Sequence, residues 1–338
     1  LFWKSLYNRP TAILAPVFLL ADPGFVFFVG RDFGPPAIAL LCKMGGFLLL
    51  LRWWREGKQW YLYGAAFAWG IALYHKADFL WILVAVGIAG ALFYRKGLFA
   101  RLAWKHVLGA SAVFTVSAAP FILMNLLTAG ATFRLLAPRA TFAEQTTAFI
   151  ASVGVRTGQV VDMMTGTASY RLFMGEDPAG VSWFAFVPPI LVLGGIAALL
   201  VFTTLPGGTV AGRKTWFHVT FTALIFLQTA KTPTSLMPHH LMALYPFLQG
   251  AGAAGIILLL ERSRWKYRAG IVATAAVLAA APGIAATQTI YSSLERTGGS
   301  GYWSNAVYEL TDFLETEQRP VALMQWGFTS NLIVLSRG

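Results

Sequence analysis

The charged residues of this chain lie in short turns between long apolar segments, and two kinds of turn alternate. Roughly 17–25 apolar residues cross a bilayer as a helix. Nine segments approach or reach that length: 11–29, 36–51, 60–74, 78–94, 106–128, 182–203, 215–231, 238–260 and 269–290. One set of turns is basic and holds 15 of the 26 Lys and Arg residues beside two acids, at Lys4/Arg9, Arg52 to Lys58, Arg95 to Lys105, Arg213-Lys214 and Glu261 to Arg268. The other set mixes both signs, at Arg31-Asp32, His75 to Asp78, 129–181, Lys231 to His240 and the tail from Tyr291.

This alternation predicts a topology. Basic loops of membrane proteins stay cytoplasmic, so we expect every mixed turn to face outward. Nine spans that begin inside place the carboxyl end outside. The expected fold is an all-α, multi-pass protein of the bacterial inner (plasma) membrane, with any chemistry on the periplasmic or exterior side.

The amino-acid composition supports a membrane protein and gives no reason to expect a nucleic-acid partner. The chain is 57% hydrophobic, its mean hydropathy is +0.62 and 12% of its residues are charged, whereas soluble domains carry about 25%. The net charge of +12 follows from the basic turns, so no nucleic-acid partner is expected. The single cysteine, Cys42, lies in an expected span, which excludes a disulfide framework or a cysteine metal site.

The segments outside the spans predict two further features. In the outer loop 129–181, Thr141 to Glu144 resembles a capping box, and we expect an amphipathic helix along the outer membrane surface. The tail predicts a helix over 304–317 and then a short strand near Val321 to Met324. We therefore expect a transmembrane domain at 1–290 and the start of an extracytoplasmic α/β domain at 291–338. The chain reads as a fragment of a longer protein.

Four sets of polar residues map to the outer helix ends, where charge near membrane depth is a functional hypothesis by default. They are Arg31-Asp32; His75-Lys76 with Asp78; the loop arginines, Arg134 foremost; and His239-His240. Each has a structural alternative: a surface ion pair worth about 0–1 kcal/mol, a snorkelling lysine, a solvated loop or an interfacial histidine. Asp22-Pro23 lies deeper, and its role as a helix cap stays open. No zinc-hydrolase pattern accompanies the histidines, so no metal or other cofactor is expected.

At these residues the sequence resembles the GT-C membrane glycosyltransferases, and among them the protein O-mannosyltransferase and lipid A aminoarabinose transferase family. The resemblance lies in the run Leu20 to Arg31, in Gly64 to Lys76, and in Pro238-His-His-Leu-Met-Ala-Leu-Tyr245-Pro246. It covers most of residues 10–260 as a pattern of hydropathy and scattered residues. The family's acidic pair would lie upstream of Leu1, which leaves Asp32 to substitute for a catalytic carboxylate.

The resemblance implies transfer of a sugar from a polyprenyl-phosphate donor to an acceptor hydroxyl, by a single displacement that inverts the anomeric carbon. Asp32 would be the catalytic carboxylate. The donor phosphate and substrate would be bound by a larger set: Arg31, His75, Lys76, Asp78, Arg134, His239, His240 and Tyr245. The acceptor is a glycan, a lipid or a protein, and the second partner is the membrane lipid itself.

Three alternatives remain open from the sequence. A transporter or flippase of lipid-linked sugars would use the same outer cations for binding alone, although no inverted repeat is found. A surface polysaccharide polymerase or ligase would share the donor and differ in the acceptor. A membrane scaffold without enzymatic activity would leave Lys76 and His239-His240 unexplained.

Overall fold

The structure, a computed structural model, is helical throughout the part of the chain that it describes. These residues are 1–30, 35–136, 142–204, 212–232, 238–262, 267–301, 304–317, 332–333 and 335. No strand occurs among them. The all-α class predicted from the sequence is thereby confirmed.

Sixteen α-helices and two 3₁₀ segments follow one another within the described ranges. The helices are α1 (Phe2–Leu6), α2 (Arg9–Leu20), α3 (Pro23–Gly30), α4 (Pro35–Glu56), α5 (Gln59–His75), α6 (Phe79–Arg101), α7 (Trp104–Ser117), α8 (Ala119–Leu127), α9 (Ala131–Leu136), α10 (Phe142–Thr165), α11 (Thr167–Met174), α12 (Val187–Thr204), α13 (Gly212–Lys231), α14 (Phe247–Arg262), α15 (Arg268–Thr297) and α16 (Ala306–Thr316). The 3₁₀ segments are Trp183–Phe186 and Pro238–Ala243.

Four stretches are long and apolar enough to cross a membrane: Ala37–Glu56, Phe79–Arg101, Trp183–Thr204 and Arg268–Thr297. Two bent helix pairs, α2 with α3 and α7 with α8, raise the number to six if each pair is one span. These helices suggest a membrane protein. The expected count of nine is not reached in the described residues, because α5 and α14 have only 17 and 16 residues and α13 begins with Arg213-Lys214.

Both bends occur where a proline begins a new helix. α2 and α3 meet at 71°, and α7 and α8 meet at 69°. Pro23 and Pro120 occupy first-turn positions, where the missing N–H costs nothing. The Asp22 carboxylate accepts a hydrogen bond from the Phe25 N–H at 3.1 Å, so Asp22 caps α3 as N-cap residues do. This settles the cap that the sequence left open.

Glycines bring α12 and α14 into backbone contact. A Cβ atom on Gly195 would lie 2.1 Å from the Gly252 carbonyl oxygen, and one on Gly255 would lie 1.7 Å from the Gly195 carbonyl oxygen. Only residues without a side chain permit this approach. Gly194, the neighbour of Gly195, faces open space.

An aromatic cluster holds α4, α5, α13 and α14 together. The Phe47 ring packs edge-on against Trp69, Phe221 and Phe247, with ring centroids 5.0–5.3 Å apart. All four side chains are buried. This cluster fixes the start of α14 against the middle of α4, directly beside the candidate site.

The two kinds of turn contact members of their own kind. Among the basic turns, Arg101 donates to the Trp54 carbonyl at 2.6 Å, Arg55 donates to the Ser5 carbonyl and Asn8 donates to Glu261 at 3.0 Å. Among the mixed turns, residues 76–78 contact residues 239–240, as described below. Contacts between turns of the same kind thus occur in both sets within the described residues.

The expected outer loop contains three helices, α9 to α11, and α10 has 24 residues. Its expected cap at Thr141 lies outside the described residues. The expected tail helix is present as α16, where Val307 is buried and Phe313 is 60% exposed. α15 continues through residue 290, the expected domain boundary. The expected strand at 321–324 lies outside the described residues, so the α/β domain stays a prediction.

Candidate functional site

The turn between α5 and α6 presents a lysine and a carboxylate to the bundle. α5 ends at His75, Lys76 adopts an extended conformation and α6 begins at Phe79. The Lys76 ammonium lies 3.3 Å from an Asp78 carboxylate oxygen, and both side chains are largely buried, with 20% and 16% exposed. A snorkelling lysine extends into water, whereas Lys76 is held inward. The geometry therefore favours a site over the snorkelling alternative.

The 3₁₀ segment Pro238–Ala243 completes this cluster from a distant part of the chain. His240 donates from Nδ1 to the same Asp78 oxygen at 2.6 Å. The Lys76 ammonium donates to the His239 carbonyl at 3.2 Å. The two imidazole rings lie 4.2 Å apart at 33°. One carboxylate thus joins a lysine and a histidine that are more than 160 residues apart in the sequence.

Lys43 is a second buried lysine, and the sequence analysis missed it. It lies in the middle of α4 with 4% of its surface exposed. Its ammonium donates to the carbonyls of Met242 at 3.0 Å, of Ala243 at 3.4 Å and of Tyr245. The signal was present, because an ionisable residue within the apolar run 36–51 is rare and functional by default. Lys43 caps the carbonyl end of the 3₁₀ segment that carries both histidines.

Tyr245, one of the expected site residues, lies deeper than the cluster. Its side chain is fully buried, and its hydroxyl lies beside the Asp22 carboxylate and Gln249 without a hydrogen bond of good geometry to either. Gln249 donates to Asp22 at 3.3 Å. Tyr245 therefore belongs to the wall and floor of the site and not to its charged end.

A pocket opens between the cluster and the helices beside it. Lys43, Lys76 and Asp78 form its polar part, while apolar side chains of α3, α4 and α6, among them Phe25 and Leu40, form the rest of its wall. Its cavity measures about 40 Å³, within about 450 Å³ of space that includes the open mouth. Ligand pockets of this kind combine apolar walls with a few convergent polar groups. The pocket thus has a charged part and an apolar part.

The charge state of the cluster follows from burial and from the neighbouring groups. These residues lie outside the four long apolar helices and the two bent helix pairs that could cross a membrane in the structure. Burial lowers the pKa of Lys76 from its ordinary value, and Asp78 opposes part of that change. Burial alone would raise the pKa of Asp78, but the His240 hydrogen bond and Lys76 outweigh it, so this pKa lies below its ordinary value. Burial, together with Lys76 and His240, lowers the pKa of His239 to about 4. Asp78 is therefore ionised at neutral pH and His239 is neutral.

The other expected site residues do not join this cluster within the described ranges. His75 ends α5 and its ring contacts Tyr74. Arg134 donates to the Thr128 carbonyl of its own segment at 2.7 Å. Arg31 and Asp32 lie outside the described residues, so their expected roles stay predictions. Of the expected set, Lys76, Asp78, His239 and His240 are the residues that the fold brings together.

Metal binding is not indicated by the described residues. In the described ranges, no three or more His, Cys, Asp or Glu side chains are grouped in a way that could hold a metal ion. The Asp78 oxygen that would be a ligand is already shared by Lys76 and His240.

Comparison of the chain with protein-family models, with curated proteins and with solved structures finds no significant match.

Proposed function

We propose that this chain is an integral-membrane glycosyltransferase that transfers a sugar from a polyprenyl-phosphate donor to an acceptor hydroxyl on the extracytoplasmic side. The observation that carries the proposal is the pocket, whose apolar helical walls lead to one end that holds Lys43, Lys76 and Asp78. An amphiphile with an anionic head matches both parts. The nine-span topology, with the mixed turns outside, belongs to the same proposal.

The donor phosphate binds at Lys76. A lysine ammonium is a compact charge that suits phosphate oxygens, and its partial exposure leaves it accessible. The Asp78 carboxylate holds the ammonium in place until the donor enters. The prenyl chain lies along the apolar side chains of α3, α4 and α6, which line the same pocket. Arg31 remains a proposed phosphate ligand that acts with Lys76, whereas Arg134 donates within its own segment and is not part of this proposal.

The reaction is a single displacement at the anomeric carbon. The acceptor oxygen attacks from the face opposite the phosphate, which inverts the configuration. The bond between the anomeric carbon and the phosphate oxygen breaks, and its electron pair leaves with the polyprenyl phosphate. Preorganised cations stabilise the charge that develops on the leaving group. Asp32 orients or deprotonates the acceptor, as the family resemblance implies, and no nucleotide takes part.

A transporter or flippase of lipid-linked sugars is the second candidate. The two bent helix pairs favour it, since discontinuous helices commonly form substrate sites in transporters. A polysaccharide polymerase or ligase differs from the first proposal only in its acceptor. Both enzymatic readings require a new glycosidic bond, whereas the transporter reading requires none.

The test replaces Lys76 by Ala in the full-length protein, reconstituted in vesicles with a labelled polyprenyl-phosphate sugar. We expect transfer to an acceptor to fall at least about 100-fold, the loss typical of one transition-state donor. Lys58→Ala is the matched control, because Lys58 lies in the basic turn Arg52 to Lys58 and 59% of its side chain is exposed. Unchanged transfer by the Lys76 variant contradicts the site. Movement of labelled lipid across the vesicle without a new bond, in the wild type, identifies the transporter.

A further inference from the structure

The Asp78–His240 pair has the geometry of a proton-transfer dyad. Asp78 accepts from His240 Nδ1 at 2.6 Å, which places the imidazole proton on Nδ1 because an ionised carboxylate only accepts. The other ring nitrogen, Nε2, is then the acceptor. Within the described ranges no hydrogen bond to Nε2 is found, and 27% of the side chain is exposed. The histidine thus carries an acceptor nitrogen next to Asp78, which lines the pocket.

The charged and titratable groups of the described residues that face His240 are Asp78, Lys76 and His239. Lys76 lies on the same Asp78 oxygen as His240. His239 stacks on the ring at 4.2 Å and is neutral. Lys43 holds the carbonyls of the residues that follow His240. When a proton arrives, Asp78 stabilises the imidazolium that forms, as a buried aspartate does in a catalytic triad.

We propose that His240 is the general base that deprotonates the acceptor hydroxyl, and that Asp78 is the positioning residue that holds its tautomer. This rests on the proposed glycosyl transfer and names a base within the described cluster, leaving Asp32 to orient the acceptor. The acceptor O–H proton moves to Nε2 while the acceptor oxygen forms the bond to the anomeric carbon. The electron pair of the broken bond leaves with the phosphate beside Lys76. The imidazolium then releases the proton to water.

The placement of one carboxylate between both groups has a chemical consequence. Asp78 contacts the phosphate-binding lysine and the base through the same oxygen. When the donor phosphate draws Lys76 away, Asp78 loses one partner and its full negative charge faces His240. Donor binding therefore leaves His240 as the partner of that Asp78 oxygen among the described residues. We expect the acceptor to be deprotonated efficiently only after the donor has bound.

The experiment measures initial rates of transfer from a labelled polyprenyl-phosphate sugar across a range of pH. His240→Gln keeps an amide near the Nε2 position but cannot take a proton, so kcat should fall about 10²–10⁴-fold, the range for general base catalysis, with KM for the donor nearly unchanged. Asp78→Asn should lower kcat and move the acid limb of the pH–rate profile to lower pH, because the carboxylate that stabilises the imidazolium is gone. Asp78→Glu should recover part of the rate. A purely structural role for Asp78 would not move the pH profile.

Matched controls separate this inference from the proposed function. His106→Gln removes a histidine of α7 that forms a hydrogen bond with Tyr63 at 3.0 Å. Asp162→Asn removes a carboxylate of α10 that pairs with Arg171. Both changes should leave kcat unchanged. No transfer by the wild type refutes the proposed function itself. Transfer by the wild type with an unchanged kcat in His240→Gln overturns the inference alone. A loss confined to Asp32→Asn would assign the base to Asp32.

Discussion

Replacing Lys43 by Met tests whether this buried lysine stabilises the fold through its hydrogen bonds to the carbonyls of Met242, Ala243 and Tyr245. Methionine has a similar length and no charge, so it fills the space in α4 without donating hydrogen bonds. The Met242 carbonyl keeps a second partner, the Tyr245 N–H at 3.2 Å. The carbonyls of Ala243 and Tyr245 lose the lysine, their partner among the described residues.

The magnitude follows from these two carbonyls. A buried acceptor left without a donor costs about 1–3 kcal/mol, which gives about 2–6 kcal/mol for the pair. Two terms reduce that figure. Hydrogen bonds between membrane helices contribute about 0.6 kcal/mol on average, and the variant no longer buries an ammonium, which costs several kcal/mol per ion. We therefore expect the free energy of unfolding to fall by about 2 kcal/mol.

The assay is unfolding in mixed micelles of a mild detergent and SDS, followed by tryptophan fluorescence, for which the chain has 12 Trp residues. Lys58→Met is the control. Lys58 carries an exposed ion pair with Glu56 at 3.3 Å, and such pairs contribute about 0–1 kcal/mol. If Lys43→Met unfolds at the same SDS fraction as the wild type and the Lys58 variant, the carbonyl cap does not stabilise the fold and the argument fails.

Two further predictions concern packing and pH. Gly195→Ala should lower the free energy of unfolding by about 1–3 kcal/mol, the usual cost of overpacking, because its Cβ would lie 2.1 Å from the Gly252 carbonyl oxygen. Gly194→Ala, at a position that faces open space, should be neutral or stabilising. Equal effects of the two changes would contradict the close contact of α12 and α14. The pKa of His239 is lowered to about 4 from 6.5, so its unprotonated form stabilises the fold above pH 6.5 and that contribution is lost as the pH falls toward 4. The difference in unfolding midpoint between wild type and His239→Gln should therefore change across this window. A flat difference would contradict the lowered pKa of His239.

Part of the site could be predicted because charge in an apolar segment is visible without any structure. Lys76 and Asp78 follow a small-residue-rich helix, and His239-His240 precede another, so their position at helix ends could be predicted from local pattern alone. Lys43 is equally visible in principle. It was missed because its neighbours are apolar, with no second polar residue to draw attention to a site.

The partners of these residues could not be predicted, because they come from distant segments. His240 contacts Asp78 across 162 positions, and Lys43 contacts the Met242 carbonyl across 199. No spacing in the sequence encodes such contacts. They depend on how α4, α5 and α14 pack around the Phe47 cluster.

The amino-acid sequence by itself determined that the chain is helical and apolar enough for a membrane, and it sorted the turns into two kinds, because hydropathy and charge are local properties. Only the tertiary structure decided that one carboxylate joins Lys76 to His240, that Lys43 closes the segment beside them, and that apolar helices complete the pocket. The physical reason is that a buried polar group must find its partner wherever the fold provides one, and the helix packing determines where that is.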